Sequence, residues 1–385
     1  MFKQTSLSDW ENLVKKQLRT EDIYASLQTE NLEGINVKPF QDLVASPLQN
    51  LPKVAESTHL VSKYHANLEE DVLAFLLDEN VEYLSEKSIF INNKLLAEHI
   101  KIEETNQYFS LIDVFDEQTG RLNEQLAKEL LAKNFTRNIC IDVSFHQNCG
   151  ASIVQQLALS LSKCKELVEK FGTEIFNKII IKVAVGSHYF FEISKIRALK
   201  ILFNQFSKEY GLNEIPFIYA ETSFINKTVA DAENNLIRST LELSGAMIGG
   251  ADAVFSNNFR LENGTELSEE ISFKQQIVLA YESIVNVFDD AGNGSYFIED
   301  CTQQLANKAW EKFRDIEENG GFSAHYEILK TEIIAQAKKE HFQVENGTIK
   351  LVGSNIYPKL ETTRSVEELY NSKALKPVRW SEIFE

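Results

Sequence analysis

His146 is the residue in this sequence best placed to do chemistry. It ends the run Ile139-Cys140-Ile141-Asp142-Val143-Ser144-Phe145-His146, which reads as a buried strand. In barrels of parallel strands the C-terminal strand ends open into the active-site mouth, so a histidine there could move a proton. A hydrogen-bonded structural histidine is the alternative, and position alone leaves both open. Asn257 and Asn258 follow another apolar run in the same way, although asparagine is also an ordinary loop residue. Glu192, Lys195 and Arg197, in FFEISKIRALKIL, read as the polar edge of an amphipathic helix rather than a site. Gly249-Gly250, between a helix and a strand, reads as a helix C-cap. Metal chemistry has little to build on. His59, His65, His99, His146, His188, His325 and His341 include no pair at ligand spacing. Cys140, Cys149, Cys164 and Cys301 show no C-x-x-C, and they read as reduced thiols filling a core, as in cytosolic proteins. G-x-G-x-x-G, G-x-x-x-x-G-K-[ST], H-E-x-x-H and G-x-S-x-G are all absent.

The elements that must hold these residues become regular from Asn138. Apolar runs at 138–143, 178–185, 215–220 and 252–256 start 40, 37 and 37 residues apart. Each is apolar at nearly every position, which suits strands buried on both faces of a parallel sheet. Helical stretches follow them; Ile153, Leu157, Leu161, Cys164, Val168 and Phe171 make one helix face. Four strand–helix units at this spacing fit half of an eight-stranded barrel, with a doubly wound sheet as the competing architecture. Further helices are predicted at 299–318 and 324–339, with Asn319-Gly320-Gly321 as the stop between them.

The beginning of the chain reads differently. Ser8 and Glu11 have capping-box spacing and open a helix running to about Leu18. Pro39, Pro47 and Pro52 are half of the chain's six prolines, and they indicate an extended arm lying on another surface. A second helix is predicted over 68–77, followed by short apolar runs near 81–84, 88–91 and 108–114.

Composition closes off whole classes of function. The 385 residues are 43% hydrophobic, enough for a full-sized core, which excludes intrinsic disorder. With only 16 glycines, a sandwich of many short antiparallel strands is disfavoured. A net charge of −18 without a basic cluster makes nucleic acid and anionic membrane poor partners. No apolar run reaches the length of a membrane-spanning helix, and the start has no secretory or transit character; the expected location is cytoplasmic.

Longer words add a resemblance. NNLIRSTLELSGAMIGGADAVFSNNF (234–259), GSHYFFEISKIRALKILF (186–203) and DAGNGSYFIEDCTQQLANKAWEKFRDIEENGGF (290–322) are similar to segments of the methylmalonyl-CoA mutase family. ICIDVSFHQNCGAS (139–152), VGSNIYP (352–358) and LQTENLEGINVKPF (27–40) match further family words in the same order. The resemblance implies a TIM-type (β/α)8 barrel over 66–345 with a degenerate first half. It also implies an N-terminal helical and extended arm over 1–65, and a tail over 346–385 that leads toward a cobalamin-binding-like domain.

The departures imply the role. Where catalytic chains have a Tyr-His pair, this sequence has Phe145-His146. An Arg-Thr-His word becomes Tyr219-Ala220-Glu221-Thr222, a His-Thr-Asn word becomes Phe255-Ser256-Asn257, and an Arg-Asn-Thr-Gln word becomes Phe273-Lys274-Gln275-Gln276. The family's T-I-R-Q-Y word has no counterpart between residues 40 and 80, and no D-x-H-x-x-G occurs. Losing several charge-assisted contacts, each about 1.5–3 kcal/mol, would abolish a rearrangement that depends on rigid substrate positioning. The resemblance therefore implies the small, non-catalytic subunit of a heterodimeric methylmalonyl-CoA mutase, which interconverts succinyl-CoA and methylmalonyl-CoA. Such a subunit stabilises a catalytic large subunit that carries adenosylcobalamin, and it holds no cofactor or metal itself. Phe145, His146, Tyr219, Phe255, Asn257, Phe273 and Gln276 would be the vestigial pocket, with aromatic rings filling the mouth. The alternative is a competent acyl-CoA mutase barrel served by a separate cobalamin chain. A homodimer is possible when the chain is alone.

Overall fold

The computed structural model describes residues 6–28, 31–41, 51–65, 68, 70, 72–81, 84–359, 364–370 and 372–385. Eight strands form one parallel sheet: β1 (His59–Lys63), β2 (Ala74–Leu77), β3 (Ser88–Ile91), β4 (Gln107–Ser110), β5 (Ile139–Asp142), β6 (Ile179–Val185), β7 (Phe217–Thr222) and β8 (Ala253–Phe255). Hydrogen-bonded neighbours run β4-β3-β2-β1-β8-β7-β6-β5. Parallel bridges from Phe109 to Arg137 and from Asp113 to Cys140 bring β4 to β5. First and last strands pair, His59 opposite Ala253, so the sheet wraps around as a (β/α)8 barrel rather than lying open as a doubly wound sheet.

The apolar runs form strands because both faces are covered. Val61, Phe90, Phe109, Phe217, Tyr219 and Phe255 meet inside the barrel. The alternate residues, among them Phe75, Ile89, Ile141, Ile181 and Ile218, pack outward against helices. In chain order those helices are α1 (Leu7–Leu18), α2 (Ile23–Leu27), α3 (Lys94–His99), α4 (Glu124–Leu131), α5 (Ser144–Asn148), α6 (Ile153–Phe171), α7 (Tyr189–Lys208), α8 (Ala232–Ile248), α9 (Glu266–Ile277), α10 (Tyr296–Glu318), α11 (Phe322–Glu345) and α12 (Val366–Leu369). The four strands predicted from the sequence correspond to β5–β8, and the two late helices to α10 and α11. Gly320 and Gly321, both at positive φ, make the stop between them.

Three local expectations are corrected. The helix expected over 68–77 is not there at its end, where Ala74–Leu77 is β2, buried throughout and paired with both β1 and β3. A short apolar run does not distinguish a buried strand from a buried helix, and the open barrel edges decided it. The first helix is capped by Ser6 with Asp9, two residues before the expected Ser8 and Glu11, because the spacing occurs twice in Ser6-Leu7-Ser8-Asp9-Trp10-Glu11. Glu192, Lys195 and Arg197 are buried rather than lying on a polar edge. Helix α7 is enclosed between the sheet and α10, where Arg197 makes two bonds to Asp290, at 2.7 and 3.0 Å.

The arm divides into two parts. α1 buries no residue, and its Trp10 stacks on Phe40 at 5.2 Å. Farther along, Glu33 accepts from the Ile153 and Val154 amides at the start of α6. Lys53 donates to the Asn286 and Phe288 carbonyls, and Asp252 accepts from the Val54 and Ala55 amides. At the other end, Val366, Leu369, Val378, Trp380 and Ile383 form a small core with Ile225, Val344 and Leu351.

Candidate functional site at the barrel mouth

Three charged side chains enter the barrel from the C-terminal halves of adjacent strands. Asp142 ends β5, Lys182 lies on β6 in register with it, and Glu221 lies on β7. The Lys182 ammonium bridges the two carboxylates, at 3.1 Å from Asp142 and 3.2 Å from Glu221. The Ser144 hydroxyl donates to Asp142 Oδ1 at 2.6 Å. Behind them Asp113 accepts from the Asp142 amide at 3.1 Å and from the Lys163 ammonium at 2.6 Å. Lys163 also donates to the Asp142 carbonyl.

Electrostatics keep this group together. Burial disfavours the charge on Lys182, but Asp142 and Glu221 outweigh it and hold the ammonium well above the ordinary lysine value. Burial likewise works against Asp142, yet Lys182 and Ser144 prevail and keep its carboxyl below the usual range. Glu221 goes the other way: burial pushes it up, with Lys182 only partly opposing. The chemistry left to such a group is small. Each charge is committed to a partner within the chain, and none is aimed at open space. A separate crevice, between Phe255 and Lys63 at the ends of β8 and β1 and Phe273 of α9, measures about 20 Å³, room for about one water.

The residues singled out from the sequence do not converge. Tyr219 and Phe255 lie inside the barrel, with the Tyr219 ring 5.2 Å from Phe90 and its hydroxyl unpartnered. Phe273 and Gln276 sit on α9; the Gln276 amide donates to the Val61 carbonyl, and Phe273 belongs to the outer core. Asn257 donates to the Thr222 carbonyl at 2.6 Å and so ties β8 to β7. Asn258 bonds Ser268. Phe145 and His146 lie on α5, outside the barrel axis. The buried His146 ring meets Tyr326 of α11, Nε2 to hydroxyl at 3.4 Å. Burial and then the Lys163 charge push it down to about 3, so the ring is neutral. The aromatic filling expected at the mouth is corrected in its composition. Inside the barrel it is Phe90, Phe109, Phe217, Tyr219 and Phe255, and the mouth above them is ionic. The sequence marks Lys182, Asp142 and Glu221 only as charged residues inside or at the end of apolar strand runs, IIIKVAV above all. Gly250, expected as a C-cap glycine, has φ +80°; a Cβ there would stand 2.0 Å from the Asp289 carbonyl oxygen.

Among the described residues no cluster of three or more histidine, cysteine, aspartate or glutamate side chains could hold a metal ion. No described helix is long and apolar enough to cross a membrane.

The methylmalonyl-CoA mutase family model matches residues 127–383. The chain is 33% identical over 226 residues to the methylmalonyl-CoA mutase small subunit of Porphyromonas gingivalis, covering 55% of this chain and 37% of that one. It is 29% identical over 200 residues to the small subunit of Propionibacterium freudenreichii subsp. shermanii, covering 49% and 31%. To the large subunit of Porphyromonas gingivalis it is 28% identical over 182 residues, covering 45% and 26%. The matched segment thus spans between about a quarter and two-fifths of each relative's length. With strand order, helix pattern and family match in agreement over two-thirds of its length, this chain belongs to the methylmalonyl-CoA mutase family.

Proposed function

We propose that this chain is a non-catalytic barrel subunit that stabilises a catalytic methylmalonyl-CoA mutase chain in a heterodimer. One observation supports this above the others: the charged groups at the barrel mouth are bonded to each other. A mutase barrel must leave polar groups free to hold a thioester along its axis, because rearrangement requires the substrate to be fixed. Here Lys182 spans that space between Asp142 and Glu221, over a packed layer of aromatic rings. The same residues do not fit adenosylcobalamin, the cofactor of the family. Among the described residues the cations there are paired, Lys182 with Asp142 and Glu221 and Lys63 with Glu269. On this reading the cofactor belongs to the partner chain and the complex to the cytoplasm.

The partner contact is assigned to the first part of the arm. α1 carries Leu7, Trp10, Leu13, Val14 and Leu18 with none of them buried, and Leu13 is 55% exposed. A capped helix presenting such residues is completed by another surface. The relatives bearing the names small and large subunit support a larger chain of the same family as the partner. The test is turnover of methylmalonyl-CoA by this chain, by the candidate large chain, and by their mixture, each with adenosylcobalamin. The expected result is no turnover by this chain alone and a longer-lived activity in the mixture. Turnover by this chain with a separate cobalamin-binding chain would refute the proposal.

A further inference from the structure

Asn-Gly pairs occur in the sequence at Asn263, Asn293, Asn319 and Asn346, and all of these asparagines are exposed. An asparagine before glycine is prone to lose its side-chain amide. With no Cβ on the glycine, nothing hinders the approach of its backbone nitrogen to the asparagine Cγ. Two of the pairs stand in one and the same tetrapeptide: Glu-Asn-Gly-Thr is residues 262–265 and again residues 345–348. As short peptides these two react alike, so only the fold can separate them.

The fold ties down every pair but one. Asn346 caps α11; its Oδ1 accepts from the Thr348 amide at 3.0 Å, and the Gly347 amide donates to the Val344 carbonyl at 3.2 Å. Asn319 gives its Nδ2 to the Asp315 carbonyl at 2.7 Å, and the Gly320 amide donates to the Glu317 carbonyl at 3.1 Å. Beside Asn293, the Gly294 amide donates to Oε1 of Glu299 at 2.7 Å. Asn263 differs. It lies in the loop between β8 and α9 at φ +54°. Among the described residues, neither its side chain nor the Gly264 amide makes a hydrogen bond. Thr265 caps α9 immediately afterwards, and the positive end of that helix favours the negative charge that develops as the Gly264 nitrogen loses its proton.

We propose that Asn263 is a deamidation site of the folded chain, converted by attack of the Gly264 nitrogen on its side chain. The Gly264 nitrogen gives up its proton to solvent base and bonds to Cγ of Asn263. The bond from Cγ to Nδ2 breaks, and the former amide takes up a proton and leaves as ammonia. Water then opens the cyclic imide at either carbonyl, which leaves aspartate or isoaspartate. No electrons are gained or lost, and water is the only co-reactant. The product carries a new carboxylate just ahead of α9, and in the isoaspartate form the main chain runs through Cβ, lengthening it directly before the Thr265 cap. At the other pairs the attacking amide must first leave its acceptor. One ordinary hydrogen bond slows such a step about two- to tenfold, and Asn346 has two to break.

The test is incubation of the intact folded chain in mildly alkaline buffer, with the peptides around each pair followed by mass and by isoaspartate content. The expected result is conversion at Asn263 about tenfold faster than at Asn346, with Asn293 and Asn319 also slower than Asn263. In urea the two Glu-Asn-Gly-Thr sites should convert at the same rate. Glu299→Ala frees the Gly294 amide, so it should raise the rate at Asn293 about tenfold relative to Asn346 in the same molecules. Taking Asn346 as the internal reference removes any general loosening of the variant. Equal rates at Asn263 and Asn346 in the folded chain, or a faster Asn293 or Asn319, overturn the assignment. A difference between Asn263 and Asn346 that persists in urea, or an Asn293 unmoved by Glu299→Ala, overturns the cause given for it.

Discussion

Lys182 shows how one side chain can decide a pocket. Removing it leaves Asp142 and Glu221 as uncompensated buried carboxyls, so Lys182→Met should cost about 3–5 kcal/mol in urea unfolding at neutral pH. The sign of the pH effect follows. Without the cation both carboxyl values rise, so the deficit is largest at high pH and shrinks as pH falls and they take up protons. The triple variant Asp142→Asn, Lys182→Met, Glu221→Gln, which buries no charge, should lie much closer to wild type. His146 has the opposite linkage. Its folded value, about 3, is below the unfolded value of about 6.5. The stability from keeping it neutral is complete above that upper value and is lost as pH falls toward the lower one. His146→Gln should flatten the acid side of the stability profile, measured as the urea midpoint from pH 6.5 down to pH 4. It should also leave turnover of a reconstituted mixture unchanged, because the ring faces Tyr326 and not the barrel axis. Ile284 is a β-branched residue at φ +56° and 55% exposed. Ile284→Gly should relieve that strain and raise stability by about 1 kcal/mol, seen as a higher Tm.

The elements of the second half of the barrel were legible because each obeys one period. β5–β8 are apolar at consecutive positions, and α6 is capped by Ser152 and Gln155 and carries its apolar face at helical spacing. The first half was not. β2, β3 and β4 have four residues each, α3 has six and α4 eight, and runs that short have no period to read. They are strands because the sheet offers a paired neighbour on each side. The arm shows the same dependence on context. Glu33 and Asp252 pin its later part to the barrel, while α1 packs on α2 and stacks Trp10 on Phe40 without burying a residue. Deleting residues 1–28 should therefore leave the circular dichroism spectrum and Tm of the barrel nearly unchanged while abolishing co-purification with the large chain. Retained co-purification would remove α1 and α2 from the interface. Glu33→Ala, by contrast, should cost about 1 kcal/mol, since it leaves two amides at the start of α6 without their acceptor.

For the whole molecule, the resemblance and the comparisons agree on the family, and the filled barrel supports the role proposed within it. A closed barrel mouth and an uncovered helix at the start of the chain suit a molecule whose work is done against another chain. If that is its work, the mixture of both chains should unfold at a higher temperature than either alone, by linkage to binding, and the increment should grow with concentration. An increment that does not change with concentration would exclude association as its source.

Residue periodicity, low glycine content and shared words determined the (β/α)8 class, the strands after Asn138 and the family, because these are properties of short stretches and survive without neighbours. Which polar residues face one another was decided only by tertiary structure. Asp142, Lys182 and Glu221 lie about 40 residues apart in sequence, and only the lateral pairing of β5, β6 and β7 brings them within hydrogen-bond distance. His146, the residue the sequence put first, is turned away because the strand stops early: β5 ends at Asp142, and after the single residue Val143 α5 starts at Ser144. The helical turn points His146 outward toward α11. Strand ends are set by where pairing with the neighbours stops, and that is a property of the assembled sheet.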